Sequence, residues 1–396
     1  MLIRNVSLLL GRELDYIDAA SVRISDEYIR AIGKNLQPKK DEEIIDCEGL
    51  LMMPSLINAH THIGDSIAKD IGIDEDIESK IHPVTGFKQK ILKNSETSHL
   101  TSFIRSSCLS MIRKGITTFI DFREGGIGGV NLLRRASTGI PIRPVILGRI
   151  EFYQDFNSIK ANSPITESKR SDLSALLRNC HGVGISGPNE FSDSSLRYFS
   201  KQKKIRAIHS AETEQSNALS AKITGKSETR RALLAKPDFL VHMIHASKKD
   251  LQLVSKSKAS IVVCPRANGA LAEGIPDVSL MLETGCNIAI GTDNVMINSP
   301  DMFKEMDYLW KVSMGMKKKR LSPKLILKMA TVNSSDLLGG KVGIIQVNNN
   351  ADCIFIEKHS IDLEPMHNPH ASIVHRASEN TLKAVMFGGE IIHGKI

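Results

Sequence analysis

Eight short apolar runs, most of them rich in β-branched residues, recur between residues 50 and 293, and longer amphipathic stretches separate them. They read LLMMPSLINAHTH, TTFIDF, RPVILGRI, GVGISG, KIRAIHS, DFLVHMIH, SIVVCPRA and NIAIGTD. A strand that is apolar on both faces has to be covered on both faces, which is the situation of a parallel sheet flanked by helices. Parallel neighbours cannot be joined by a hairpin, so each pair needs a right-handed crossover of about a dozen residues or more. Eight such units over residues 53 to about 330, roughly 35 residues apiece, predict an α/β chain built as a (β/α)8 TIM barrel.

The intervening stretches carry helix punctuation. Ser95 is placed to cap SETSHLTSFIRSSCLSMIRKG, which stops at Gly115, and Ser247 to cap SKKDLQLVSKSK. Pro276–Leu282 predicts a short amphipathic turn before Gly285. Ser299-Pro300 predicts a helix start, with Asp301 and Glu305 near its positive end. The two ends of the chain differ in texture. MLIRNVSLLL, SVRISDEYIRAIG and EEIIDCEG on one side, and ADCIFIE, ASIVHRA, TLKAVMFGG and EIIHGKI on the other, are short β-like runs broken by charge and Gly. Neither end is large enough for a domain of its own. The expectation is one small β-sandwich-like domain composed of 1–52 plus 340–396, interrupted by the barrel, 53–339.

The chain has 396 residues, 41% hydrophobic and 24% charged, which excludes a disordered or fibrous protein. Lys and Arg outnumber Asp and Glu by 52 to 44, a formal net charge of +8. That surplus is thinly spread. Its one tight cluster, Lys317-Lys318-Lys319-Arg320, reads as a solvated helix end or loop. Aromatics make up 5% of the residues, too few to interleave a basic stripe with stacking rings, so no nucleic-acid role is expected. An acidic small substrate is the more useful inference from the charge. No apolar run approaches the ~20 residues of a bilayer span, so no membrane partner is expected. MLIRNVSLLLGRELDY has too brief an apolar stretch for a signal peptide. The six cysteines, Cys47, Cys108, Cys180, Cys264, Cys286 and Cys353, lie far apart without CxxC pairing, as reduced buried thiols of a cytoplasmic protein do.

In a barrel of this kind the functional groups sit at the C-terminal ends of the strands. The polar residues that end the runs are therefore informative. The first run ends in His60-Thr61-His62, the fifth in His209 with Glu212 three residues on, the sixth carries His242 and His245, and the eighth ends in Asp293. One His-x-His arises easily by chance in a chain with 13 histidines, whereas metal-binding residue types at four strand ends do not. Residues i and i+2 of a strand share a face, so His60 and His62 can reach one ion. His82, His99, His181, His359, His367, His370, His375 and His393 are read as ordinary core or surface side chains.

The blocks MPSLINAHTH, HSAETE, LVHMIH, CPRANGALAEG and IGTDNVMINSPDMFKEM resemble the amidohydrolase superfamily. The nearest branch is the cytosine deaminase and chlorohydrolase-like one, which includes S-adenosylhomocysteine and guanine deaminases. The resemblance runs from Leu2 to the C-terminus, through SPKLILKMATVNSSDLLG and ADCIFIE. It implies that His60, His62, His209 and Asp293 hold one divalent metal ion, zinc or iron. It further implies that Glu212 is the acid of an HxxE block and that His242 matches the first histidine of the sixth-run block. His245 is read as a structural neighbour, and Asn268, after Cys264-Pro265, as either a support of the site or a loop cap. Binuclear members carry a bridging lysine at the end of strand four. Here GVGISGPNE offers Ser186 and no lysine before Lys201, which implies a mononuclear site. GTDNV in place of TDDP, together with the β-rich ends, points away from the adenosine deaminase branch.

The chemistry follows from those residue types. Three neutral imidazoles and a carboxylate leave a divalent ion an open position for water, whose pKa it lowers. Asp293 is then placed to accept the water proton, Glu212 to shuttle a proton to a ring nitrogen, and His242 to hydrogen-bond the nucleophile or the tetrahedral species. The expectation is hydrolytic deamination of a cyclic amidine, a small nitrogen heterocycle that loses ammonia. Relatives of that branch are commonly dimers or larger, so a homo-oligomer is expected. Three alternatives stay open: a ring-opening cyclic amidohydrolase similar to imidazolonepropionase, a dehalogenase similar to the chlorohydrolases, and a non-catalytic metal-binding relative acting as a binding module. Arg123, in DFREGG at the end of the second run, and Arg149, at the end of the third, fall on the metal face. Either they bind a carboxylate or phosphate of an anionic N-heterocycle, or Arg123 pairs with Glu124 or Asp121 and Arg149 with Glu151 as structure.

Overall fold

The computed structural model describes residues 1–82, 86–317 and 320–396, so Lys318 and Lys319 of the basic cluster lie outside the described residues. The chain begins with β1 (Leu2–Leu10), β2 (Asp15–Ser25), β3 (Tyr28–Gly33), β4 (Ile44–Asp46) and β5 (Leu50–Pro54). The eight apolar runs follow as β6 (Leu56–His62), β7 (Ile116–Arg123), β8 (Arg143–Gly148), β9 (Gly182–Ile185), β10 (Ile205–Ser210), β11 (Phe239–His242), β12 (Ser260–Val263) and a final pair, β13 (Ile288–Ile290) with β14 (Asp293–Asn294). The chain closes with β15 (Cys353–Glu357), β16 (Leu382–Phe387) and β17 (Glu390–Gly394).

β6 to β14 form one parallel sheet in the order β13-β12-β11-β10-β9-β8-β7-β6-β14. Most of their residues are buried, as the unbroken apolar runs require. The sheet curls. Its two outermost strands are separated in the chain by Gly291 and Thr292, whose N–H groups donate to Val263 O of β12 at 3.0 Å and to His60 O of β6 at 3.1 Å. Gly291 is required there, because a Cβ would lie 2.7 Å from the backbone N and the Cβ of His60. Inside the curl Ala59, Phe122, Leu147, Phe239, Val241 and Val262 pack together beneath the strand ends. On the outer face Phe119, Ile146, Leu240 and Ile261 meet helix residues such as Ile104, Met111, Leu133 and Leu176.

The two chain ends build a second sheet, in the order β17-β16-β15-β5-β1-β2-β3, with β4 beside β1. β1 runs parallel to β4 and β5, and the other pairs are antiparallel. The sandwich-like domain expected from sequence is seen as this one eight-stranded sheet, with Ile3, Val6, Val22, Met52, Phe355 and Met386 in its core. The first apolar run is shared between the two sheets. Pro54, which has no N–H to extend a ladder, ends β5. Ser55 then turns the chain into β6, donating from its N–H to Asp352 O at 3.1 Å and sharing a hydroxyl hydrogen bond with Thr117 at 2.6 Å.

Three local expectations change. ASIVHRA is not a strand but most of the helix Pro369–Arg376, because Asn368 caps it by accepting from Ala371 N at 3.1 Å and Pro369 occupies its first turn. Ser95 closes the helix Phe87–Asn94, and the helix Thr97–Arg113 starts after Glu96. The helix Met302–Lys317 is capped by Asp301, whose Oδ1 accepts from Lys304 N at 3.1 Å, while Ser299 and Pro300 precede it. Ser247 caps as expected, in a capping box with Asp250. Among the described residues no helix is long and apolar enough to cross a membrane.

Candidate active site

The C-terminal strand ends of the curled sheet bring four histidines and one aspartate together. His60 and His62 come from β6, His209 from β10, His242 from the end of β11 and Asp293 from the start of β14. The ligand atoms of His60, His62 and His209 lie within 4.8 Å of one another, as do those of His60, His242 and Asp293. His60 Nε2 is 3.2 Å from Asp293 Oδ1 and 3.2 Å from His209 Nε2, and His62 Nε2 is 3.6 Å from Asp293 Oδ1. His242 (φ +73°) and Asp293 (φ +60°) adopt left-handed backbone conformations that turn the strand ends inward. Such conformations are costly for non-glycine residues and collect at functional sites.

This donor set fits a cation. Burial pushes His60 down to about 3 and holds His209 and His242 below their ordinary range. These rings are held toward the neutral form, and His60 Nε2 lies 3.2 Å from both His209 Nε2 and Asp293 Oδ1. Asp293 stays ionised. Burial pushes it up, but the His60 hydrogen bond and the His60, His242 and His62 rings outweigh burial. Its Oδ2 is buried with no hydrogen-bond partner. A divalent ion bound by imidazole nitrogens and a carboxylate oxygen satisfies this geometry.

A second layer orients these groups. Glu124 Oε1 lies 3.0 Å from His62 Nδ1 and 2.5 Å from Lys88 Nζ, while Arg123 donates to Glu124 Oε2 from Nη2 at 2.9 Å. Burial raises the Glu124 carboxyl, and Lys88, His62 and Arg123 together outweigh that and hold it ionised. It therefore accepts a hydrogen bond from His62 Nδ1–H and leaves the Nε2 lone pair facing the centre. Asn268 Nδ2 is 3.0 Å from His242 Nδ1. Amide donation there places the His242 proton on Nε2, which is 3.3 Å from Glu212 Oε1. Burial, and then the charge of Asp293, pushes the Glu212 carboxyl well above its ordinary value. Glu212 is thus biased toward its protonated form beside a hydrogen-bond donor.

These groups open into a cavity of about 310 Å³ whose walls include His62, Lys88, Arg149, Ser186, Glu212 and Glu228. Arg149 is half-buried in that wall, and among the described residues no carboxylate lies at ion-pair distance from it, so the expected alternative pairing with Glu151 is not formed. Arg123 lies elsewhere. It is spent on Glu124, with Asp121 Oδ2 at 3.9 Å, the structural arrangement weighed from sequence, and it does not line this cavity. Ser186, which follows β9, lines this cavity. His245 points away and contacts Glu273 O at 3.0 Å. His82, read as an ordinary side chain, lines the cavity.

Sequence reasoning missed Lys88 and Glu228. Lys88 is 3% exposed although it sits in a short lysine-rich helix that reads as solvated. Glu228 is buried, its carboxyl pushed up to about 7 by burial, and its Oε2 accepts from Ala211 N at 3.0 Å and Ser216 Oγ at 2.7 Å. Ala211 precedes Glu212 and has φ +50°, so Glu228 fixes the turn that aims Glu212. Neither residue belongs to a spaced motif. The one available signal was Ser227, a cap that places Glu228 at a helix start.

The amidohydrolase family profile matches residues 51–392. Over 396 residues, covering 99% of each chain, the protein is 37% identical to a "Putative aminohydrolase" of Methanothermobacter thermautotrophicus. It is 27% identical, over 99% of this chain and 94% of the relative, to the 5-methylthioadenosine/S-adenosylhomocysteine deaminase of Pyrococcus furiosus. Among solved structures, the atrazine chlorohydrolase of Arthrobacter aurescens TC1 complexed with zinc superimposes with a TM-score of 0.84 at 17% identity, over 99% of this chain and 95% of that one. That likeness shows the fold. The profile spans most of the chain and the archaeal relative is similar from end to end: the chain belongs to the amidohydrolase family.

Proposed function

We propose that this chain is a mononuclear metal-dependent hydrolase that deaminates a small nitrogen heterocycle bearing an anionic group. We read the curled sheet as a (β/α)8 barrel, 53–339, carrying the composite sheet unit 1–52 plus 340–396, in a cytoplasmic homo-oligomer. The observation that carries the reading is the juxtaposition of Glu212 and His242, 3.3 Å apart, beside the histidine–aspartate cluster. The deaminase name of the Pyrococcus furiosus relative and the zinc in the chlorohydrolase structure support it.

His60, His62, His209 and Asp293 would hold one divalent ion, zinc or iron, which when bound supplies a water of lowered pKa. Asp293 takes the proton of the attacking water. Glu212 protonates the ring nitrogen next to the amino-bearing carbon, which makes that carbon electrophilic. His242 donates from Nε2 to the oxygen that adds to the carbon, held in that tautomer by Asn268. The proton taken by Asp293 passes to the exocyclic amine, the C–N bond breaks as the hydroxyl proton of the adduct returns to Glu212, and ammonia leaves a carbonyl behind. Arg149, on the cavity wall, binds the substrate anion, while Lys88 on the same wall stays paired with Glu124.

Ammonia release by the metal-loaded protein from pyrimidines, purines and purine nucleosides, each with and without a carboxylate or phosphate, tests this. The expected result is ammonia from an anionic member with one metal ion per chain. A ring-opened acid without ammonia would replace the reading with cyclic amidohydrolysis.

A further inference from the structure

Arg123 lines a second cavity, of about 360 Å³, on the far side of Glu124 from the metal cluster. It lies against the helix Gly126–Ser137 and residues of Phe87–Asn94 and Thr97–Arg113. Three features give it a surplus of hydrogen-bond donors. Arg123 is 3% exposed, and its Nε and Nη2 are used on Glu124, yet Nη1 has no hydrogen-bond partner, its ion-pair contact with Asp121 Oδ2 at 3.9 Å being too long for one. The 12-residue helix starts behind Gly125 (φ +80°), which makes no side-chain cap hydrogen bond, and its first turn holds no acidic residue. Lys93 and Arg135 stand on the rim, opposed there by Glu151. A buried, charged donor without an acceptor is costly unless a ligand completes it.

We propose that this rear cavity binds a small oxyanion, a carboxylate or phosphate group, and that it is coupled to the metal centre through Arg123, Glu124 and His62. An oxygen on Arg123 Nη1 offsets the charge that now neutralises Glu124. Glu124 then draws the His62 Nδ1 proton more strongly, and the Nε2 lone pair becomes more basic. Anion and metal therefore tighten each other's binding, as linkage requires.

Sulfate is the probe, at ionic strength held constant with chloride. Calorimetry on the zinc-loaded full chain should show saturable binding. Gly128→Leu fills the cavity from a helical position where a Cβ meets nothing within 4 Å, so the fold and the zinc content should be kept. It should weaken sulfate about tenfold or more, as should the double change Lys93→Ala with Arg135→Ala, while Glu151→Gln should tighten it. Arg149→Met should leave this binding intact, which separates it from any anion in the main cavity. Sulfate should also slow zinc loss to a chelator in the wild type and not in Gly128→Leu. Absence of saturable binding, or undiminished binding by a folded Gly128→Leu variant, overturns the site. Zinc loss that ignores sulfate in the wild type overturns the coupling. None of these readouts uses substrate, so they stand or fall apart from the deaminase reading.

Discussion

Glu124 reaches the metal cluster only through His62, yet it gathers Lys88, Arg123 and the His62 Nδ1 proton at one carboxylate. Glu124→Gln should lower metal affinity about 10–100-fold, as loss of an outer-shell carboxylate does, read by competition with a chelator. Glu212 behaves oppositely. Its Gln variant keeps the shape and has no proton to give, so kcat should fall by at least ~10² with metal content unchanged. Metal lost from Glu212→Gln would make it a ligand. Arg149→Met should raise KM for an anionic substrate about 10–100-fold and leave a matched neutral analogue little changed, since one charged hydrogen bond is lost. At this scale the residue types were legible, and so was the pairing of Arg123 with Glu124 or Asp121 as one of two readings, whereas the place of Arg149 was not. Arg123 and Arg149 look equivalent in sequence, each at a strand end beside acids. The structure gives one to Glu124 and leaves the other on the cavity wall.

Strands were legible because burial on both faces writes an unbroken apolar run, and each of the eight runs holds a strand. Their breaks were less so. The first run continues across Pro54-Ser55 without a polar residue stronger than serine, and where it changes sheet depends on Asp352 and Thr117, both remote in sequence. ASIVHRA has the alternation of a strand, but the Asn-Pro before it starts a helix. Helix caps depend on local hydrogen bonds, which explains why Ser247 was readable as a cap. Ser247→Ala should cost about 1 kcal/mol, measured by denaturant unfolding, with catalysis unaffected because the helix Lys248–Ser257 lies outside the cavity.

For the whole molecule, buried acids make stability depend on pH. Glu228 has an ordinary value of 4.5 and is pushed to about 7 by burial. The native chain therefore binds a proton that the unfolded chain has released between those values. The stability this group contributes is present below about 4.5 and lost as pH rises through about 7. Glu228→Gln should flatten that part of the profile of Tm against pH, and an unchanged slope would remove Glu228 from this role. The sequence by itself determined the alternation of buried strands and helices, the composite of two chain ends, and the residue types that end the strands. All of these are properties of a segment and its own burial. Only the tertiary structure decided that Lys88 is buried at the site, that Glu228 aims Glu212, that Arg123 turns to a rear cavity, and that Gly291 lets the outermost strands meet at His60. A local pattern specifies how deeply a side chain is buried. Which remote groups it meets there is set by the closure of the sheet.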